Sequence, residues 1–141
     1  MIVLDTHIWI WWVHGHSKLS NSHAKLIQDS EGDAIGVCAI SCWEVSKLVQ
    51  KRRLELPLPV EDWMRLALDY PAFELIPLEP RIAIESTQLP ARFHDDPADQ
   101  IIVATARLLD CPLITADEHM IQYPTSTLRL ERCALRRGIQ A

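Results

Sequence analysis

The sequence has no long hydrophobic run, no excess of positive charge and no paired-cysteine motif. Its longest apolar stretch, from Ile8 to Val13, is far too short to cross a bilayer. No basic segment leads into an apolar signal core at the start, so we expect a soluble, cytoplasmic chain with no membrane partner. The net charge of −5 differs from the basic profile of proteins that coat nucleic acid, although a local basic strip is compatible with it.

Four cysteines are present, and they form neither a CxxC pair nor a zinc-binding spacing with histidine: Cys38, Cys42, Cys111 and Cys133. The simplest interpretation is that they are small buried hydrophobic residues in a reducing compartment. With 48% hydrophobic residues, the chain can build one core without disulfides. We expect a single domain over residues 1–141, because no repeat, low-complexity segment or linker interrupts the sequence.

Short apolar runs alternate with longer amphipathic segments along the whole chain. The short runs predict strands at 2–5, 34–39, 73–78, 112–115 and 127–130. The longer segments predict helices at 7–13, 20–29, 41–53, 60–70, 80–89, 97–110 and 117–123. Strands that alternate with helices indicate an α/β fold, in which a parallel sheet is covered by helices on both faces.

Four acidic residues lie where predicted strands end or where the next helices begin. Asp5 ends the first strand, and Asp117 follows the strand at 112–115. Glu44 and Asp99 fall in the first turns of two predicted helices. In an open parallel sheet these ends share one edge, which is where such folds bind ligands. We therefore expect the four carboxylates to meet in space, although they are far apart in the sequence.

Each acid also has a purely structural interpretation. Glu44 could complete a capping box at the start of its helix. Asp96 could cap the following helix, with Asp99 interacting favourably with the helix dipole. Asp117 could cap the next helix in the same way. Asp5 has no obvious cap to make, because it ends a buried strand.

Considered together, the carboxylates favour a metal site. Two ionised carboxylates about 4 Å apart repel by on the order of 4 kcal/mol at an effective dielectric constant of about 20, so a cation or a proton must offset the repulsion. Carboxylate oxygens together with water are natural ligands of Mg²⁺ or Mn²⁺. Such ions bind phosphate oxygens and activate water, which predicts phosphodiester hydrolysis.

The acids lie within four recognisable segments of the sequence. These are LDTHIWIWW at 4–12, ISCWEVSKLV at 40–49, HDDPADQIIVATA at 94–106 and LITADEHM at 113–120. Together they resemble the motifs of PIN-domain nucleases, and most of all the VapC-type toxins of bacterial toxin–antitoxin pairs. The resemblance implies a three-layer α/β/α sandwich with a central, mostly parallel sheet. It also implies a Mg²⁺- or Mn²⁺-dependent endoribonuclease that acts on RNA.

The resemblance further implies a role for individual residues. Its metal-binding acids correspond to Asp5, Glu44, Asp99 and Asp117. Asp96 is either an additional acid of the site or only a helix cap. Thr6 and Thr115 are similar to hydroxyl-bearing positions that orient a carboxylate or a metal-bound water. The resemblance also implies a homodimer and a cognate antitoxin, whose basic side chain would meet the carboxylates.

Three groups of side chains near these motifs each have two possible interpretations. A basic group either tracks phosphates or forms a solvated helix face: Lys47, Lys51, Arg52 and Arg53. Tryptophans of the first helix favour core or dimer contacts over base stacking: Trp9, Trp11 and Trp12. His7 and His94 lie beside the acidic motifs, where they either contact substrate or have a structural role.

Two other functions remain as alternatives. A receiver-like phospho-signalling domain is also a small α/β fold with acids at its strand ends. It needs a second acid beside Asp5 and a lysine after a late strand, and this chain has neither. The other alternative is a PIN-like domain that binds partners without catalysis, which the four intact acids argue against.

Overall fold

The computed structural model describes residues 1–90 and 93–123 of the chain. Within these residues four strands form one sheet: β1 (Ile2–Leu4), β2 (Ile35–Cys38), β3 (Phe73–Ile76) and β4 (Leu113–Ile114). Their order across the sheet is β3-β2-β1-β4, and every neighbouring pair is parallel. The predicted strand at 127–130 and the basic tail lie outside the described residues.

Seven helices connect and cover the strands in the described part of the chain. They are α1 (Thr6–His14), α2 (Asn21–Asp29), α3 (Ala39–Gln50), α4 (Val60–Ala67), α5 (Pro80–Ser86), α6 (Pro97–Leu109) and α7 (Glu118–Ile121). Local signals set several of their starts: Ser20 caps α2 by accepting a hydrogen bond from the His23 N–H, and Pro97 occupies the first position of α6. No helix among these seven is long and apolar enough to cross a membrane.

Neighbouring side chains of the sheet point alternately into two apolar cores. Ile2 and Leu4 pack with α1, α2 and α4, whereas Val3 packs with α5, α6 and α7. Because consecutive residues of a strand face opposite sides, the sheet lies between two helical layers. This arrangement confirms the predicted three-layer α/β/α sandwich.

Gly36 lies at a crowded point of the sheet, in the strand between β1 and β3. It pairs with Val3 on one side and Glu74 on the other. A Cβ atom at this position would collide with Ile76 Cδ1 and would lie 3.3 Å from Met1 Sδ. The absence of a side chain therefore allows the sheet and the core above it to pack closely.

We predict that Gly36→Val lowers the free energy of unfolding by about 1–3 kcal/mol, because overpacking forces neighbouring side chains to shift. Urea denaturation of the purified variant measures this change. Gly32→Val is the matched control, since nothing lies within 4 Å of a Cβ atom at Gly32. Equal stability of the two variants would contradict the packing argument.

Candidate active site

The pairing of β1 with β4 brings the first acid of the site beside a threonine. Leu4 pairs with Ile114, so the residues that follow them, Asp5 and Thr115, lie next to each other at the carboxyl ends of the strands. The Thr115 hydroxyl donates a hydrogen bond to Asp5 Oδ2 at 2.7 Å. This contact joins two residues that are 110 positions apart in the sequence.

Asp5 is buried and caps α1. Its Oδ1 accepts a hydrogen bond from the Thr6 backbone N–H at 2.8 Å. The prediction that Asp5 makes no cap was wrong, because α1 begins directly after β1 with no intervening loop. Desolvation by burial raises the pKa of Asp5, against the lowering effect of its hydrogen bonds with Thr115 and Thr6.

Glu44 lies in the second turn of α3 rather than in the first. The helix begins at Ala39, two residues earlier than predicted, so Ser41 lies inside it and the alternative interpretation of Glu44 as part of a capping box is wrong. The Thr6 hydroxyl donates to Glu44 Oε1 and also contacts Ser41 Oγ at 2.8 Å. These contacts hold the carboxylate of α3 against the start of α1.

Asp96 and Asp99 both belong to the start of α6. Asp96 is the N-cap, and its Oδ1 accepts a hydrogen bond from the Asp99 backbone N–H at 3.0 Å. Asp99 lies in the first turn as predicted, with its side chain 13% exposed. His94 Nε2 lies 3.1 Å from Asp99 Oδ2, and the His94 ring stacks on His119 at a centroid distance of 4.6 Å.

Asp117 caps the short helix α7. Its carboxylate accepts hydrogen bonds from the backbone N–H groups of His119 and Met120. Its own N–H donates to Thr115 Oγ1 at 3.0 Å. The Thr115 hydroxyl therefore donates one hydrogen bond to Asp5 and accepts another from the backbone of Asp117.

Negative charge is concentrated where these elements meet. Burial, together with repulsion from the neighbouring carboxylates, raises the pKa of Glu44 to about 7 and that of Asp99 to about 8. Asp5, Asp96 and Asp117 contribute to both shifts through charge repulsion. All five acids of the sequence analysis therefore interact electrostatically at one edge of the sheet.

Three of these acids are arranged as a set of potential metal ligands. Glu44, Asp96 and Asp99 each present a carboxylate oxygen, and the three oxygens lie within 4.8 Å of one another. Hard oxygen donors that repel each other fit a hard divalent cation such as Mg²⁺ or Mn²⁺. Asp5 and Asp117 lie outside this trio. Asp96 lies within it, although the sequence did not decide whether Asp96 is a helix cap or a residue of the site.

Other residues near the motifs have clear positions. Trp9 is completely buried in the core, and His14 accepts a hydrogen bond from Trp63 Nε1 at 2.9 Å. Sequence reasoning considered Ser41 only as a possible helix cap and did not single out Trp43, which is exposed next to Glu44. The contact of Ser41 with Thr6 joins two elements, so no local pattern predicts it.

We predict that Thr115→Val lowers the free energy of unfolding by about 1–3 kcal/mol. Valine preserves the shape but leaves the buried Asp5 carboxylate and the Asp117 N–H without the hydroxyl that pairs with them. Thermal and urea unfolding measure the loss. Thr115→Ser keeps the hydroxyl and should recover most of it, and Thr87→Val, at an exposed position, is the control. Equal losses in the serine and valine variants would contradict the hydrogen-bond argument.

The sequence profile of the PIN domain matches residues 2–125 of this chain. The chain belongs to the PIN-domain family. The match includes every acid described above and agrees with the observed α/β/α layers, so the resemblance stated from the motifs is confirmed. Family membership also removes the receiver-like alternative.

Several proteins are similar to this PIN domain over most of their length. Ribonuclease VapC22 of Mycobacterium tuberculosis is 30% identical over 119 residues, which are 84% of this chain and 88% of the relative. A toxin–antitoxin complex from Klebsiella pneumoniae contains a chain that is 26% identical, with a TM-score of 0.62 and coverage of 88% of this chain and 93% of that one.

VapBC2 from Rickettsia felis, solved bound to a DNA fragment from its promoter, has a TM-score of 0.64 at 18% identity. The alignment covers 93% of this chain and 98% of that one. At this level of identity the similarity supports the fold alone, which this chain therefore shares with a distant structural neighbour.

Proposed function

We propose that this PIN domain is a metal-dependent endoribonuclease and the toxin of a toxin–antitoxin pair. The observation that carries the proposal is the convergence of the Glu44, Asp96 and Asp99 carboxylate oxygens within 4.8 Å of one another. Similarity to a protein named Ribonuclease VapC22 supports RNA as the substrate, and the Klebsiella pneumoniae complex supports an antitoxin partner. The proposal covers residues 1–141 as a single nuclease domain that acts on RNA in the cytoplasm.

The proposed ligands of the ion are Glu44, Asp96 and Asp99, with Asp5 and Asp117 beside them. When bound, Mg²⁺ or Mn²⁺ would supply Lewis-acid chemistry at a phosphate oxygen and would lower the pKa of a coordinated water. The ionised carboxylates of the chain would hold the ion, which would offset their mutual repulsion. Each Asp5 oxygen uses one lone pair for a hydrogen bond and keeps another that can accept from a water.

The two threonines prepare the site before any ligand binds. Thr6 fixes the Glu44 carboxylate through its hydroxyl, and Thr115 fixes Asp5 and the backbone of Asp117. Carboxylates held in place by other groups lose less conformational freedom when they bind an ion or a substrate. In this proposal the threonines therefore act by orienting the acids.

Incubation of the purified protein with total cellular RNA tests the proposal. We expect discrete cleavage products in Mg²⁺ or Mn²⁺ and none in EDTA or with the Glu44→Gln variant. Glu74→Gln changes an exposed glutamate on β3 and serves as the matched control. Cleavage that persists in Glu44→Gln would indicate a contaminating nuclease. Absence of cleavage by a folded, antitoxin-free protein would favour the non-catalytic binding domain instead.

The proposed partners are a second copy of the chain and an antitoxin that inserts a basic side chain among the carboxylates. Light scattering of the purified chain should give the mass of a homodimer. Co-expression with a cognate antitoxin should relieve growth arrest caused by this chain. A monomeric mass, or growth arrest that no co-expressed antitoxin relieves, would contradict the respective part of the proposal.

A further inference from the structure

A groove of about 240 Å³ lies between α3 and the start of α6, directly beside the acidic cluster. Glu44 and Asp96 line it together with three cationic residues: Lys47, Lys51 and Arg53. Trp43 also lines the groove, and 52% of its surface is exposed. Acidic, basic and aromatic side chains thus occupy one continuous depression.

The helical repeat of α3 explains why these residues share a surface. Trp43 and Lys47 are four residues apart, as are Lys47 and Lys51, so they follow one another along one side of the helix. Lys47 Nζ lies 5.9 Å from the centre of the Trp43 ring. Trp43 is 52% exposed, so the residue remains accessible to a ligand beside this cation.

The turn that ends α3 brings Arg53 back to the same groove. The Arg52 N–H donates to the Val49 carbonyl at 3.0 Å, and the Arg53 N–H donates to the Leu48 carbonyl at 2.9 Å. This is a Schellman turn, in which glycine is usual at the position that Arg52 occupies with a φ of 58°. The left-handed conformation costs about 1 kcal/mol for a residue other than glycine.

The cations of the groove are available to a ligand. Within residues 1–90 and 93–123, neither Lys51 nor Arg53 forms an ion pair, and both are exposed. Lys47 Nζ contacts the neutral Gln50 Oε1 at 3.1 Å. A chain with a net charge of −5 therefore concentrates unpaired positive charge beside its acidic cluster, which favours a ligand with several negative charges.

We propose that this groove binds the single-stranded RNA that flanks the cleaved bond. Lys47, Lys51 and Arg53 contact successive phosphates, and Trp43 stacks on one base. This inference rests on the proposed function of the same site. Aromatic stacking combined with cationic contacts is how proteins bind single strands without reading their sequence.

Kinetic measurements on RNA cleavage test the stacking role of Trp43. Trp43→Ala should raise KM about tenfold with a smaller change in kcat, because the base loses its stacking surface. Trp43→Phe should restore most of the affinity, since it retains a ring. Tyr70→Ala, an exposed aromatic residue that lines a different cavity, is the control. Equal KM values for wild type and Trp43→Ala would overturn the stacking role.

The salt dependence of binding tests the phosphate contacts. A fluorescein-labelled single-stranded 12-nucleotide RNA, about as long as a single-strand site, is titrated in Mg²⁺ with protein carrying Asp99→Asn to suppress cleavage. Lys51→Gln and Arg53→Gln should each reduce the slope of log K against log salt by about 0.7, the value for one contact to a single-strand phosphate. Arg81→Gln, at an exposed position of α5, should leave the slope unchanged.

The outcomes separate this inference from the proposed function. Absence of both cleavage and RNA binding by the parent protein would overturn both proposals. Normal cleavage with unchanged KM and salt slopes in the groove variants would overturn only this inference. Weaker binding of the antitoxin with unchanged RNA binding would also overturn it, because the groove would then be a surface for a protein partner.

Discussion

Asp99→Asn is expected to slow metal-dependent RNA cleavage by at least about a hundredfold, since a divalent ion contributes several kcal/mol to the reaction and each 1.4 kcal/mol corresponds to a factor of ten. Asparagine has the same shape as aspartate but lacks the negative charge that the proposed cation site requires. Asp99 is one of the three clustered acids, and its side chain is only 13% exposed. Initial rates at saturating Mg²⁺ measure the effect.

The same substitution should make the metal-free protein more stable. Asp99 interacts unfavourably with Asp5, Asp96, Asp117 and Glu44, and burial opposes its ionisation further. In the folded, metal-free protein Asp99 must either take up a proton or bear this repulsion, and asparagine avoids both costs, so activity falls while the melting temperature in EDTA rises. Asp69→Asn, at an exposed position after α4, is the control for both measurements. A variant that loses activity together with stability would indicate a structural rather than a ligand role for Asp99.

The second large effect is a fall in the stability of the metal-free protein as the pH rises. Glu44 and Asp99 have folded-state pKa values of about 7 and about 8, above their ordinary values of 4.5 and 3.8. Between the ordinary and the folded-state pKa values, the folded state binds more protons than the unfolded state. The free energy of unfolding therefore falls as the pH rises through this range. The stabilising effect of the protons is complete below about pH 4 and is lost by about pH 8.

We expect the free energy of unfolding in EDTA to fall by about 1–3 kcal/mol between about pH 5 and pH 9, after allowance for screening of partly exposed groups by solvent. Urea denaturation at several pH values measures the slope. Asp99→Asn should reduce the slope, and saturating Mg²⁺ should raise stability most at the alkaline end, because the cation replaces the lost protons. A free energy of unfolding that does not change with pH, or that rises with pH equally in the wild type and in Asp99→Asn, would contradict the proposed charge repulsion.

Predictions that depend on short-range patterns agreed well with the structure. Apolar runs located all four described strands, and the α/β alternation gave the correct layers. The start of α6 was predicted to the residue, because the Asp96 cap and Pro97 act on the nearest backbone groups. Hydrogen bonds of this kind are visible in a sequence, since both partners are within a few residues of each other.

Predictions at the junctions between elements were less accurate. The start of α3 was placed two residues late and Asp5 was given no cap, because each strand passes directly into its helix. Thr6 contacts Ser41 and Glu44 across more than 30 residues of sequence. Neither hydrophobic periodicity nor helix propensity predicts such a contact, because tertiary packing decides which turn of a helix faces a neighbouring element.

The sequence by itself determined the fold class, the family and the set of acids, because strand and helix periodicity and the order of the acidic motifs are local properties of the chain. Only the tertiary structure decided that Asp96 lies with Glu44 and Asp99, whereas Asp5 lies against Thr115. It also decided that cations at the end of α3 and just after it line the same groove as Glu44 and Asp96. The physical reason is that distances between side chains on different helices depend on how the two layers pack on the sheet, to which every residue of the core contributes.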